Sequence, residues 1–190
     1  MKKPELFFPL SVEWYDWLYQ NHNTSEGVFL IFYKLELNIP TMRWEDAVKV
    51  ALCFGWIDST VKSLGNGKRR QTFTPRNPKS VWSGLNKKYI LELTEANLMH
   101  KSGLEKIKIA KQNGNWTALD DVENEVIPKD LKLAFNSNKI AFNNYKKFAP
   151  SYRKGYLYWL NQAKRETTRE NRINEIIRLC KANMKSRGGW

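Results

Sequence analysis

Apolar residues recur along the chain with two different periods, and the change from one to the other marks out its elements. Behind Ser11, an N-cap residue type, Trp14, Trp17 and Leu18 stand at helical spacing, which predicts a helix ending near Asn21 to Asn23. After Gly27, the run VFLIFYK is β-branched and aromatic throughout and reads as a buried strand. Thr41 then precedes Trp44, Ala47, Val48, Ala51 and Leu52, one apolar stripe of a second helix that Gly55 can end.

From Trp56 the period shortens to two. Unbroken alternation puts Trp56, Asp58, Thr60 and Lys62 on one strand face, and Ile57, Ser59, Val61 and Leu64 toward the other. Gly65-Asn66-Gly67 is a hairpin turn signal, and Lys68 to Thr74 reads as the return strand, ended by Pro75. With the turn centred on Asn66, Lys62 falls opposite Arg70 and Asp58 opposite Thr74. A slip of one residue would exchange the faces.

Helical spacing resumes at Ser80, with Trp82, Leu85, Tyr89 and Leu93 in register. Ser102 with Glu105 has the form of a capping box opening a helix to Gln112, which Asn113-Gly114-Asn115 stops. Residues 117–128 are acidic and read as a linker. Helices are expected from Pro128, over Asn138 to Phe148, from Ser151, and from a second capping box at Thr167 and Glu170. The last carries Ile173, Ile176, Ile177, Cys180 and Met184 on one stripe, and the terminal RGGW is expected to fray.

These elements predict an α+β protein: a small, mostly antiparallel sheet packed with helices, followed by a helical C-terminal segment. The division expected is an N-terminal domain over 1–116, a linker over 117–128 and the helical segment over 129–190. No window approaches the roughly 18 apolar residues of a membrane span, and the N-terminus lacks the apolar core of a signal peptide, so a cytoplasmic protein is expected. Cys53 and Cys180 form no spaced pair, and both fall on apolar helical positions, as buried reduced thiols do.

Charge changes the picture. The net charge is +13 and uneven: residues 1–60 hold five basic against eight acidic residues, residues 61–115 twelve against three, and residues 116–190 fifteen against eight. Such an excess suits an anionic partner. The hairpin and the start of the next helix offer the best place for a small anionic ligand. Arg76, Lys62, Ser83 and Asn86 would supply charge and hydrogen bonds, Asp58 orientation, and Trp56 and Trp82 walls. The competing structural reading pairs Asp58 with Arg76 and leaves both tryptophans in the core.

Nucleic-acid binding is an alternative use of the same region, through the basic and aromatic patch of Lys68, Arg69, Arg70, Phe73, Arg76, Lys79, Lys87 and Lys88. Nothing there matches a known nucleic-acid module. An adaptor holding a protein partner by its C-terminal helices is the third reading. The cations of the last helix, from Arg169 to Lys185, read as a solvated face.

His22 and His100, the two histidines, have no nucleophile or ligand beside them in sequence and read as surface residues. No metal motif, phosphate loop or dinucleotide fingerprint is present, and neither a metal nor a cofactor is expected. Whether the chain is an enzyme stays open. Asp58 beside Lys62 or Arg76 is the one acid/base pair the residues offer.

The stretches ALCFGWIDSTVKSL (51–64), QTFTPRNPKSVWSGLN (71–86), LMHKSGLEKIKIAKQNGNW (98–116) and YLYWLNQAKRETTRENRI (156–173) resemble the YdeI/OmpD-associated, or bacteriocin-protection, family, in its order and over nearly the whole chain. SLGNGKRR departs from the more acidic turn usual there. The resemblance implies a cytoplasmic bacterial stress protein tied to resistance against bacteriocins or cationic peptides. It implies no reaction.

Overall fold

A computed structural model describes residues 3–187. It divides into two compact units, one reaching to Thr117 and one beginning at Ala118.

The first unit is α+β. Its sheet has four strands: β1 (Glu5–Leu6), β2 (Val28–Tyr33), β3 (Trp56–Gly65) and β4 (Lys68–Pro75), in the order β1-β2-β4-β3. The pairs β2/β4 and β3/β4 are antiparallel, the second as the turn residues predict. The two-residue β1 adds a parallel edge that no hydrophobic period signals. Four helices complete the unit: α1 (Ser11–Asn21), α2 (Trp44–Cys53), α3 (Gly84–Glu95) and α4 (Lys101–Gln112). Val28, Leu30, Phe32 and Phe73 on one sheet face meet Trp14 and Leu18 of α1 and Ala47, Val48, Ala51 and Leu52 of α2 in one core. Gly55 and Gly67 take positive φ, at 73° and 70°, where a side chain would be strained.

Two helix starts differ from the capping expected. The N-cap of α4 is His100, whose Nδ1 accepts the Ser102 backbone N–H at 3.2 Å, while the Ser102 hydroxyl donates to Phe54 O at 3.0 Å. Ser83 caps α3, so Trp82 lies before the helix rather than on its first turn.

The second unit is helical: α5 (Asp120–Glu123), α6 (Lys129–Asn136), α7 (Lys139–Lys147), α8 (Pro150–Asn161) and α9 (Glu166–Lys181). Its core gathers Leu131, Phe135, Tyr145, Tyr156, Leu157, Leu160, Ile176 and Cys180. Residues of the acidic stretch read as a linker contribute here: α5 lies within it, and Val122 joins this core. The capping box expected at Thr167 does not form, because α9 starts two residues earlier, behind Arg165. Of the terminal RGGW stretch, the positions from Gly188 lie outside the described residues.

Candidate functional site

A bulge in β3 decides which side chains meet. Trp56 pairs with Pro75, Ile57 with Thr74 and Asp58 with Phe73, after which the register shifts and Val61 pairs with Gln71, Lys62 with Arg70 and Ser63 with Arg69. The extra residue breaks the alternation. Asp58 therefore shares the helix-facing side with Gln71 and Val61, whereas Lys62 sits with Arg70 on the opposite face. Asp58 and Lys62 do not form the pair the unbroken alternation gave.

Asp58 Oδ2 accepts two N–H groups. One is the indole N–H of Trp44 at 3.0 Å, and the other is the side-chain amide of Gln71. Gln71 is only 3 % exposed, and its Oε1 has no partner among the described residues. Asp58 is thus a strut between the start of α2 and the centre of the sheet. With that oxygen occupied, it is poorly placed for the acid/base chemistry its sequence position suggested.

Arg76 is buried, at 4 % exposure. Its guanidinium lies 3.6 Å from the centroid of the Trp82 ring, and Nη2 donates to Val81 O at 2.6 Å. Nε and Nη1 have no partner among the described residues. Burial pulls its pKa down to about 10, against the opposing pull of the Asp58 charge. Among the described residues the two form no ion pair. Trp56 is buried and donates its indole N–H to His22 O at 3.2 Å. Ser83 Oγ accepts the backbone N–H of Asn86 at 3.3 Å, so both serve the helix start.

None of Trp56, Arg76, Trp82, Ser83 and Asn86 lines the cleft found beside the hairpin. That cleft, of about 800 Å³, opens between the β2–α2 connection and the β3–β4 hairpin. Phe32, Leu35, Trp44 and Val61 form its apolar side. Lys34, Arg43, Lys68 and Arg69 also line it, with Glu36 and Glu45 as its carboxylates. Among the described residues none of these four cations forms an ion pair. Arg69 instead lies over the Phe32 ring, 5.3 Å from its centroid.

The basic patch drawn from sequence does not form one surface. Phe73 is fully buried and cannot stack a base. Arg69 faces the cleft, whereas Arg70, on the other face, pairs with Glu5 at 3.0 Å and covers Phe29. Lys87 and Lys111 both approach the Trp116 ring at 5.4 Å, and Lys88 reaches Glu92 at 4.0 Å. Lys68 is set at the cleft.

The histidines differ from expectation too. Far apart in sequence, His22 and His100 come together with ring centroids 4.9 Å apart, and both pack on Phe54. Burial, then the neighbouring His22 and Lys101, hold the His100 pKa below its usual value. Cys53 and Cys180 are free, buried thiols, pushed up by desolvation to about 11 and about 12. Among the described residues no group of three or more His, Cys, Asp or Glu side chains is placed to hold a metal.

In the second unit, much of the cationic face of α9 is tied down. Arg169 makes a two-pronged pair with Asp130, Arg172 donates to Trp159 O, and Arg178 pairs with Glu175.

The residues sequence reasoning missed at the cleft are Lys34, Arg43 and Trp44. Trp44 counted only as part of a core stripe. Its place in the first turn of α2, directly after Arg43, was the available signal.

An α+β unit with a cationic cleft, followed by a helical unit, is the class this chain defines. Residues 6–106, more than half of the chain, match a domain of unknown function (DUF8412), and the chain belongs to that family. Residues 125–183 match a second family model, described as bacteriocin-protection, YdeI or OmpD-associated (OmdA). The FGWID and FTPR stretches fall within the first match, and the OmdA match is confined to the helical unit. Neither a curated protein nor a solved structure matches the chain. No helix of the described residues is long and apolar enough to cross a membrane.

Proposed function

We propose that the α+β unit of this bacteriocin-protection-like protein binds a small anionic organic molecule in the cleft between the β2–α2 connection and the hairpin. One observation carries the reading: Lys34, Arg43, Lys68 and Arg69 converge on one cleft with no carboxylate partner among the described residues, beside an apolar wall. Clustered like charges repel, and an anion between them removes that cost. Arg43 and Arg69 would bind charge bidentately. Trp44, held by Asp58, gives a fixed flat wall. Asp58 keeps an orienting role, exerted through Trp44 rather than on the ligand.

The test is thermal unfolding with three classes of anion in turn: sugar phosphates, dicarboxylates and mononucleotides. A bound class raises Tm by mass action. We expect one class to do so for the wild type and to fail for Arg43→Ala/Arg69→Ala. If none raises the wild-type Tm, or the double variant keeps the increase, the proposal is wrong.

A second reading, protein docking through the helical unit, draws on Leu133 and Ile140, which are 67 % and 68 % exposed. Its test is a loss of partner binding in Leu133→Ser/Ile140→Ser.

A further inference from the structure

The rim of the cleft continues into an exposed aliphatic surface: Leu35 and Val61 line the cleft, whereas Leu37, Ile39 and Leu64 lie outside it. The β2–α2 connection and the hairpin tip sit together at one end of the α+β unit. The backbone N–H of Lys34 donates to Gly67 O at 2.8 Å, and a Cβ added at Gly67 would lie 2.7 Å from Leu37 Cδ1. At this end Leu35, Leu37, Ile39, Val61 and Leu64 are between 37 % and 54 % exposed. Single exposed aliphatics are ordinary, but five on one connection and the adjoining end of β3 need a reason. Residues 34–43 and 61–69 also carry five cations against one carboxylate, Glu36.

We infer that this end of the unit is a docking tip for the surface of an anionic lipid bilayer. Aliphatic side chains at such an end enter the boundary between headgroups and acyl chains. The lysines and arginines around them stay at headgroup level, where each gains from the negative surface potential. The chemistry fits a bilayer better than a protein partner. Protein hot spots favour Trp, Tyr and Arg seated in pockets, whereas the exposed residues here are Leu, Ile and Val ringed mainly by lysine.

The test is co-sedimentation with vesicles of phosphatidylcholine alone and of phosphatidylcholine mixed with phosphatidylglycerol. Leu37, Leu64 and Lys62 do not line the cleft, so their variants probe the tip without touching the proposed anion site. We expect the wild type to sediment with the anionic vesicles and not with the neutral ones. Leu37→Ser/Leu64→Ser and Lys62→Glu, shown folded by circular dichroism, should each weaken this about tenfold. Leu133→Ser, in the helical unit, should leave it unchanged.

Three outcomes would overturn the inference: no vesicle binding by the wild type; binding that neither tip variant weakens; or binding that the tip variants leave intact but soluble glycerol phosphate abolishes. The last would leave headgroup capture by the cleft alone. Arg43→Ala/Arg69→Ala removes two of the five cations and should weaken vesicle binding as well, so the tip variants separate the two sites: they should lose vesicle binding and keep the anion-induced rise in Tm.

Discussion

The indole N–H of Trp44 donates to Asp58 Oδ2 at 3.0 Å, joining the first turn of α2 to the bulge of β3. The same oxygen accepts from the buried Gln71 amide. Asp58→Ala would leave both donors unsatisfied, and burying an unpaired polar group costs roughly 1–3 kcal/mol. We expect a loss of stability in that range by urea unfolding. Trp44→Phe keeps most of the wall and loses one hydrogen bond, so it should cost less, about 1 kcal/mol.

Gly103 lies against the end of α2 so closely that an added Cβ would meet the carbonyl of Cys53 and Leu52 O, both backbone. Backbone cannot yield as a side-chain tip does. Gly103→Ala should destabilise the α+β unit by about 1–3 kcal/mol, the usual cost of overpacking. A urea midpoint equal to the wild type would show that α4 can move aside.

Arg76 is nearly as buried as Phe73 yet has two N–H directions without a partner among the described residues. Its contribution comes from the Trp82 face and from Val81 O. Arg76→Ala should cost about 2–4 kcal/mol through lost packing and lost cation–π attraction. Arg76→Met refills the volume without a charge to desolvate and should recover most of that loss. Equal urea midpoints for the two variants would contradict this reading.

His100 caps α4 with an unprotonated Nδ1, and its pKa lies below the ordinary value. The unfolded chain therefore takes up a proton at higher pH than the folded one. The stability contributed is present above about pH 6.5 and is lost as pH falls toward the depressed folded value. His22 and Lys101 are the charged or titratable neighbours that act with burial on it. His100→Asn keeps a capping oxygen and removes the titration. Its urea midpoint should fall less between pH 7 and pH 5 than that of the wild type. Parallel falls would show that other groups account for the acid sensitivity.

How far the sequence speaks depends on how local each feature is. The turn residues Gly65-Asn66-Gly67 set the register nearby, so the pairing of Lys62 with Arg70 was legible. Four residues further on the bulge shifts Asp58 from Thr74 to Phe73, and no residue type marks it. Helical stripes such as Trp44 to Leu52 were legible because they repeat. Single caps were not, because His100 and Ser102 compete for the same helix start and distant Phe54 O settles it. The cleft was illegible for a related reason. Its lining comes from 32–45 and 61–69, two segments that only the sheet brings together. Arg76 and the aromatic residues Trp56, Phe73 and Trp82, conspicuous in sequence, turned inward instead.

The most direct test of the cleft uses the eight tryptophan indole resonances in a ¹H–¹⁵N correlation spectrum, with Trp44 assigned by Trp44→Phe. The anion class that raises Tm is titrated into the labelled protein. Binding in the cleft predicts a saturable shift of the Trp44 indole signal together with backbone signals of residues 34–36 and 61–69. A Trp44 signal that stays fixed while residues elsewhere in the unit respond would contradict the cleft as the binding site.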